Sequence, residues 1–394
     1  MLAAYSASLI IFAVCSRQPI PETRAADPPL TPPRMTVYDP EPGHLWNRLH
    51  EAIYVRLDGA GADEPGELDP LLWQHSPFLE KNERSDRAVA VLDEYIAKRG
   101  EKLIADPGKR ALLQRDLWAL FDAVAPPAGA PAVREKMETR TQLARRLAAV
   151  LPRLALTADE IKALPDNYAE AVAAGKFPKW FDAGRLWAAD GPWVLVGNKN
   201  EAPLARTHAE FFGGRSAFFV FLRCPDGREQ TLKHLADLQA RGANAKPPAG
   251  GVYFALVRQM LLFDAAGRIT LSPIVESVQI RGLGDHELKL SRKELMAGKP
   301  SLAPLGPEDR EREYHVFMGR NVGVGRTKVL DTCVKCHMPD RLESHARTFP
   351  PFQSLRPALT ASTRDDETVR ARRAKWNSYE WGLLQGLTLA GLRE

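Results

Sequence analysis

Apolar residues recur at helical spacing in the first half of the chain and alternate at strand spacing in the middle. Arg84–Arg99 and Arg110–Val124 carry apolar residues at helical spacing, and Val133–Val150 resumes it. Pro152 predicts the end of that third helix, and Pro126-Pro127-Ala128-Gly129-Ala130-Pro131 predicts a loop before it. Thr157 with Glu160 forms a capping-box pattern just before Ile161. Further on, Trp193–Val196 and Ser216–Arg223 read as strands and Gln230–Ala240 as a helix. Val252–Phe263 and Arg268–Arg281 read as a hairpin joined by Asp264-Ala265-Ala266-Gly267. Asp285–Asp309 is polar and reads as a connection, and Glu367–Leu389 reads as a closing helix.

These elements predict an α+β, multi-domain chain rather than alternating βα repeats. Residues 35–190 form a mainly helical region, 191–310 an α+β unit containing the hairpin, and 311–394 a small helical C-terminal segment. Trp180, Trp187 and Trp193 are expected as packing anchors. The length, 394 residues, supplies ample material for a core.

The N-terminus has a different character. Leu2–Val14 is almost wholly apolar, and the first charge is Arg17, which suits the apolar stretch of an export signal and is too short to span a membrane as a helix. A leader over residues 1–15 would be followed by an extended tether over 16–34, which is rich in proline. Cys15 after Phe12-Ala13-Val14 resembles a bacterial lipoprotein processing site, with Val14 departing from its usual small residue. That resemblance implies a lipidated N-terminus, and the alternative is a leader that is simply removed.

The candidate chemistry lies near the other end. Cys333, Val334, Lys335, Cys336 and His337 spell Cys-x-x-Cys-His, the attachment signature of haem c. On a helix the two thiols and the imidazole share one side, so both sulfurs can reach the two vinyl groups of one porphyrin while the imidazole meets the iron. Lys328–Cys336 holds no Gly or Pro, so a helix is expected to enter the motif. Zinc would want a second ligand pair, and Cys15 and Cys224 are distant singles. A thioredoxin-like motif would follow a strand in a βαβ unit, which this pattern lacks. Cys224, at the end of an apolar strand, is expected to be a buried small residue.

This pentapeptide resembles that of the cytochrome c family. The resemblance covers the C-terminal segment, 311–394, and implies thioethers to Cys333 and Cys336, His337 as the proximal metal ligand, and one-electron transfer outside the bacterial cytoplasmic membrane. Small cytochromes of that family place a distal methionine well downstream. Here the only methionine after His337 is Met338, beside the proximal ligand. Sixth-position candidates are therefore Met318, His315 and His345, with Met260 and His286 further away, and a distal iron site that is open or weakly held is the alternative. The second reading is accordingly a haem-dependent oxidoreductase, and a third is a scaffold protein that the haem stabilises.

Charge changes the picture little. The net charge is +5, and residues 311–394 carry fourteen Lys/Arg against ten Asp/Glu, so +4 of it lies in the haem-motif segment. That excess reads either as a solvated face or as a docking surface for an acidic redox partner protein. No aromatic-and-basic nucleic-acid pattern stands out. Gly319 to Lys328 fails the phosphate-loop and dinucleotide fingerprints, and Asp58 to Asp69 lacks the ligand spacing of an EF-hand.

Overall fold

A computed structural model describes residues 36–53, 81–125, 134–199, 204–241, 245–246, 248–306, 310–311, 327–328 and 359–391. All of them belong to one compact unit, Arg34–Glu394. The architecture is α+β: helical at both ends, with an antiparallel seven-stranded sheet between.

The helices start where local chemistry supplies caps. In α2 (Glu83–Ala97) the Asn82 side chain accepts from the N–H groups of Arg84 and Ser85, and Ser85 returns a bond to Asn82. α3 (Pro107–Val124) combines an Asp106 cap with Pro at its first position. Its last carbonyls, Val124 and Ala125, are taken by Arg140 from α4 (Arg134–Leu154). α4 continues past Pro152, beyond its expected end, because Leu151 and Leu154 are fully buried and hold the last turn on the core. The expected Thr157–Glu160 box caps α5 (Ala158–Lys162). α1 (Leu45–Ile53) and α6 (Asn167–Ala173) complete the N-terminal helices.

The sheet is a meander. β1 (Val194–Asn198), β2 (Ser216–Arg223), β3 (Tyr253–Phe263), β4 (Ile269–Gly282), β5 (Gly284–Leu290) and β6 (Leu302–Pro304) pair in chain order, all antiparallel. The β3–β4 turn is the expected one: Asp264 Oδ1 accepts from the N–H groups of Ala266 and Arg268, and Gly267 takes φ 73°. A bulge in this pair lies near Gln259, and Asn167 of α6 docks on it by exchanging both amide bonds with Val275. Asp285–Asp309, expected as a connection, instead supplies β5, α9 (Arg292–Met296) and β6. Among the described residues of this stretch the buried apolar side chains are Leu288, Leu290, Leu295 and Leu302, too few to stand out as a pattern.

One face of the sheet and the helices share a single apolar core. It runs from Tyr38 and Trp46 through Leu117, Trp118 and Phe121 to Phe219, Val257, Ile280 and Trp381. The change of character near residue 190 is one of secondary structure; the core continues across it, and Trp381 and Leu384 of the C-terminal region join the same core. Trp193 is buried with its Nε1–H on the Phe181 carbonyl, and Trp180 and Trp187 pack against this core. The opposite face, with Val194, Val220 and Leu222, is covered by Leu235 and Leu238 of α8 (Arg228–Arg241) and by Leu204, Ala205 and Phe212, around α7 (Arg206–Phe211).

The C-terminal region returns to the sheet. β9 (Leu359–Ala361) adds outside β1, opposite the β6 edge. Two helices follow, α10 (Arg364–Trp376) and α11 (Tyr379–Gly391), where one was expected. The break falls at Asn377-Ser378, where Ser378 Oγ accepts from the N–H of Trp381.

Candidate functional site

Cys333, Cys336 and His337 lie outside the described residues, as do Met318, His315, His345 and Cys15. The described residues fix the two ends of the stretch that contains them. β7 (Arg310–Glu311) pairs with β8 (Thr327–Lys328), closing the base of the loop that holds His315 and Met318. β8 ends at Lys328, so the chain is extended at the point where a helix into the motif was expected to begin. Downstream, β9 is tied to β1 on one side and to α8 on another. It pairs with β1, the Ser362 N–H bonds the Leu195 carbonyl at 2.8 Å, and Gln239 of α8 donates to the Leu359 carbonyl. β6 and β9 stand at opposite edges of seven strands, so the connection between them crosses about 29 Å, six inter-strand spacings.

Two sixth-position candidates are described. Met260 is fully buried on β3 within the main core, and Ser272 Oγ donates to its carbonyl. Reaching an iron from there would open the core. His286 is half-buried on β5, its ring 6.2 Å from that of Trp180. Cys224 is buried, its N–H on Thr231 Oγ1, and burial raises its thiol pKa. Among the described residues no cluster of His, Cys, Asp and Glu could hold a metal, so Cys224 finds no ligand set there.

A feature that sequence reasoning missed runs along α3. This helix is apolar around its circumference, yet it buries Arg115 and Asp116 and half-buries Asp122. Each meets a partner distant in sequence. Glu276 accepts from Arg115 Nε at 3.2 Å and Nη2 at 3.1 Å, and also from Ser216 Oγ, with Arg258 Nε 3.7 Å away. Asp116 is held by a two-pronged Arg292 at 2.6 Å and receives the Tyr38 hydroxyl at 3.3 Å. Asp122 accepts from Lys375 Nζ at 2.7 Å and from Arg215, so one carboxylate faces two buried cations.

Burial dominates the electrostatics of these groups. It pushes Arg115 down to about 10, with Glu276 opposing the fall. It lowers Lys375, with Asp122 opposing, and raises Asp116, with Arg292 opposing. His50, beside Tyr38 with ring centroids 5.8 Å apart, is pushed down to about 3 by burial and then by Arg292, and is neutral in the fold. Charged residues in a helix whose every face carries apolar side chains would have been the available signal.

The chain matches no protein-family model, no curated protein and no solved structure with which it was compared.

Proposed function

We propose that this protein is an exported, monohaem c-type cytochrome that binds haem c covalently and transfers single electrons. The observation that carries the reading is the Cys333-Val334-Lys335-Cys336-His337 run. That donor set fits the group: two thiols for thioethers and one imidazole for the iron. When bound, the haem supplies one-electron cycling between Fe(III) and Fe(II). The protein contributes the thioether sulfurs, the proximal imidazole and a stretch fastened at β8 and β9. The β7–β8 ladder supports Met318 or His315 as sixth ligand, because it brings the base of their loop beside the strand leading to the motif. The apolar Leu2–Val14 stretch supports export to the bacterial periplasm, with Cys15 the point of membrane attachment if it is lipidated. Among the described residues no helix is long and apolar enough to cross a membrane.

The test is a visible and resonance Raman spectrum of the purified protein, oxidised and reduced. A covalent haem that survives acid–acetone extraction, with a six-coordinate low-spin spectrum, is the expected result. Cys333→Ala together with Cys336→Ala should abolish covalent attachment. Extraction of all colour from the unmodified protein would overturn the proposal.

The burial of Met260 in the core favours keeping a second reading, a haem-dependent oxidoreductase with an open or weakly held distal iron site. Carbon monoxide decides between them. Rapid binding to the reduced protein selects the oxidoreductase, and an unchanged spectrum selects the electron carrier.

A further inference from the structure

A groove of about 310 Å³ lies where the β3–β4 turn meets the outer face of α10. Arg268 and Ile269 form one wall, and Val369, Arg372, Arg373 and Trp376 form the other. Its apolar part is unusually open: Trp376 is 50% exposed and Val369 49%. Trp376 packs on the buried Trp381 with ring centroids 5.8 Å apart, and Asp264 holds Arg268 with Oδ2 3.0 Å from Nε. Arg372 makes no ion pair among the described residues.

We propose that this groove docks an acidic segment of a partner protein. The segment's carboxylates would meet Arg268, Arg372 and Arg373, and one apolar side chain would lie against Trp376 and Val369. Guanidinium groups bind carboxylates through paired N–H donors, and Trp with Arg is the usual composition of a binding hot spot. Charge along α10 is segregated in the same sense. Asp365, Asp366 and Glu367 follow Arg364 in its first turn, where the acids complement the helix dipole, and Arg372 and Arg373 lie in its second half. Concavity favours a peptide over a lipid surface, which would be met by a protruding apolar edge. Three arginines confined to one groove make no track for a phosphate backbone.

That this partner exchanges electrons rests on the function proposed above, whereas the docking itself does not. The two are tested separately. Haem content tests the function. The groove is tested by fluorescence anisotropy of the full haem-loaded chain with a labelled synthetic peptide, glutamates flanking one leucine. Binding that weakens with salt is expected, with about a tenfold loss on Arg372→Glu and a similar loss on Val369→Ser. Both positions are exposed, so folding is spared, and circular dichroism checks it. The proposal is overturned if the peptide with glutamine for glutamate binds equally, or if both variants bind as the parent does. It is equally overturned if only phosphatidylglycerol vesicles or single-stranded DNA respond to the substitutions.

Discussion

His50 shows what one buried side chain does to the whole equilibrium. Its folded pKa, about 3, lies below the ordinary value of 6.5. As pH falls, the unfolded chain takes up this proton first. The stability contribution is therefore complete above pH 6.5 and is lost progressively toward pH 3, with a slope of about 1.4 kcal/mol per pH unit at its steepest. His50→Phe keeps a ring against Tyr38 and removes that proton. Unfolding free energies from urea titrations across this range should fall less steeply in the variant by about that slope. Equal slopes would remove His50 from the acid sensitivity of the fold. Nothing in the sequence around His50 announces this behaviour, because it depends on how the fold packs around the ring and on the charge of Arg292, more than two hundred positions away. The Cys-x-x-Cys-His run is the opposite case: the proposal drawn from it uses five consecutive residues and no distant partner.

At the scale of elements, α10 is pinned to α3 through a charge arrangement rather than by leucines. Lys375 is fully buried, and its ammonium sits between Asp122 and the Trp118 ring, 5.2 Å from the ring centroid. Asp122→Asn would leave Lys375 and Arg215 as uncompensated buried cations and should cost about 3–5 kcal/mol in chemical denaturation. Lys375→Met leaves the Asp122–Arg215 pair and removes a desolvated charge, so it should cost far less. Equal losses from the two would contradict this account. The elements that were legible, α2, α3, β2 and the β3–β4 hairpin, all bury an unbroken face. Those that were not are short or half-polar. β9 has three residues, too few for any period, and the α10–α11 break rests on Ser378 turning back on the chain rather than on Pro or Gly.

At the scale of the described molecule, one core unites the N-terminal helices with one face of the sheet. The residues 35–190 and 191–310 differ in character along the sequence but bury their apolar faces against each other. Unfolding of the described unit should accordingly be a single transition, with far-ultraviolet circular dichroism and tryptophan fluorescence changing together. Two separated transitions would mean that the helical and sheet regions hold independent cores. This unity was hidden because a hydrophobic pattern gives the direction of a face and not the identity of what covers it.

Both outer strands of the seven-stranded sheet are three residues long, and β6 ends on Pro304, which has no N–H to offer. Short borders of this kind deny a neighbouring molecule a ladder on which to extend. β9 does this for β1, whose Val194, Leu195 and Val196 are apolar throughout. The haem-motif stretch therefore ends in the piece that shields the sheet from its own kind. A chain that fails to seat β9 would present β1 as a template for self-association, so its solubility would depend on completing that stretch.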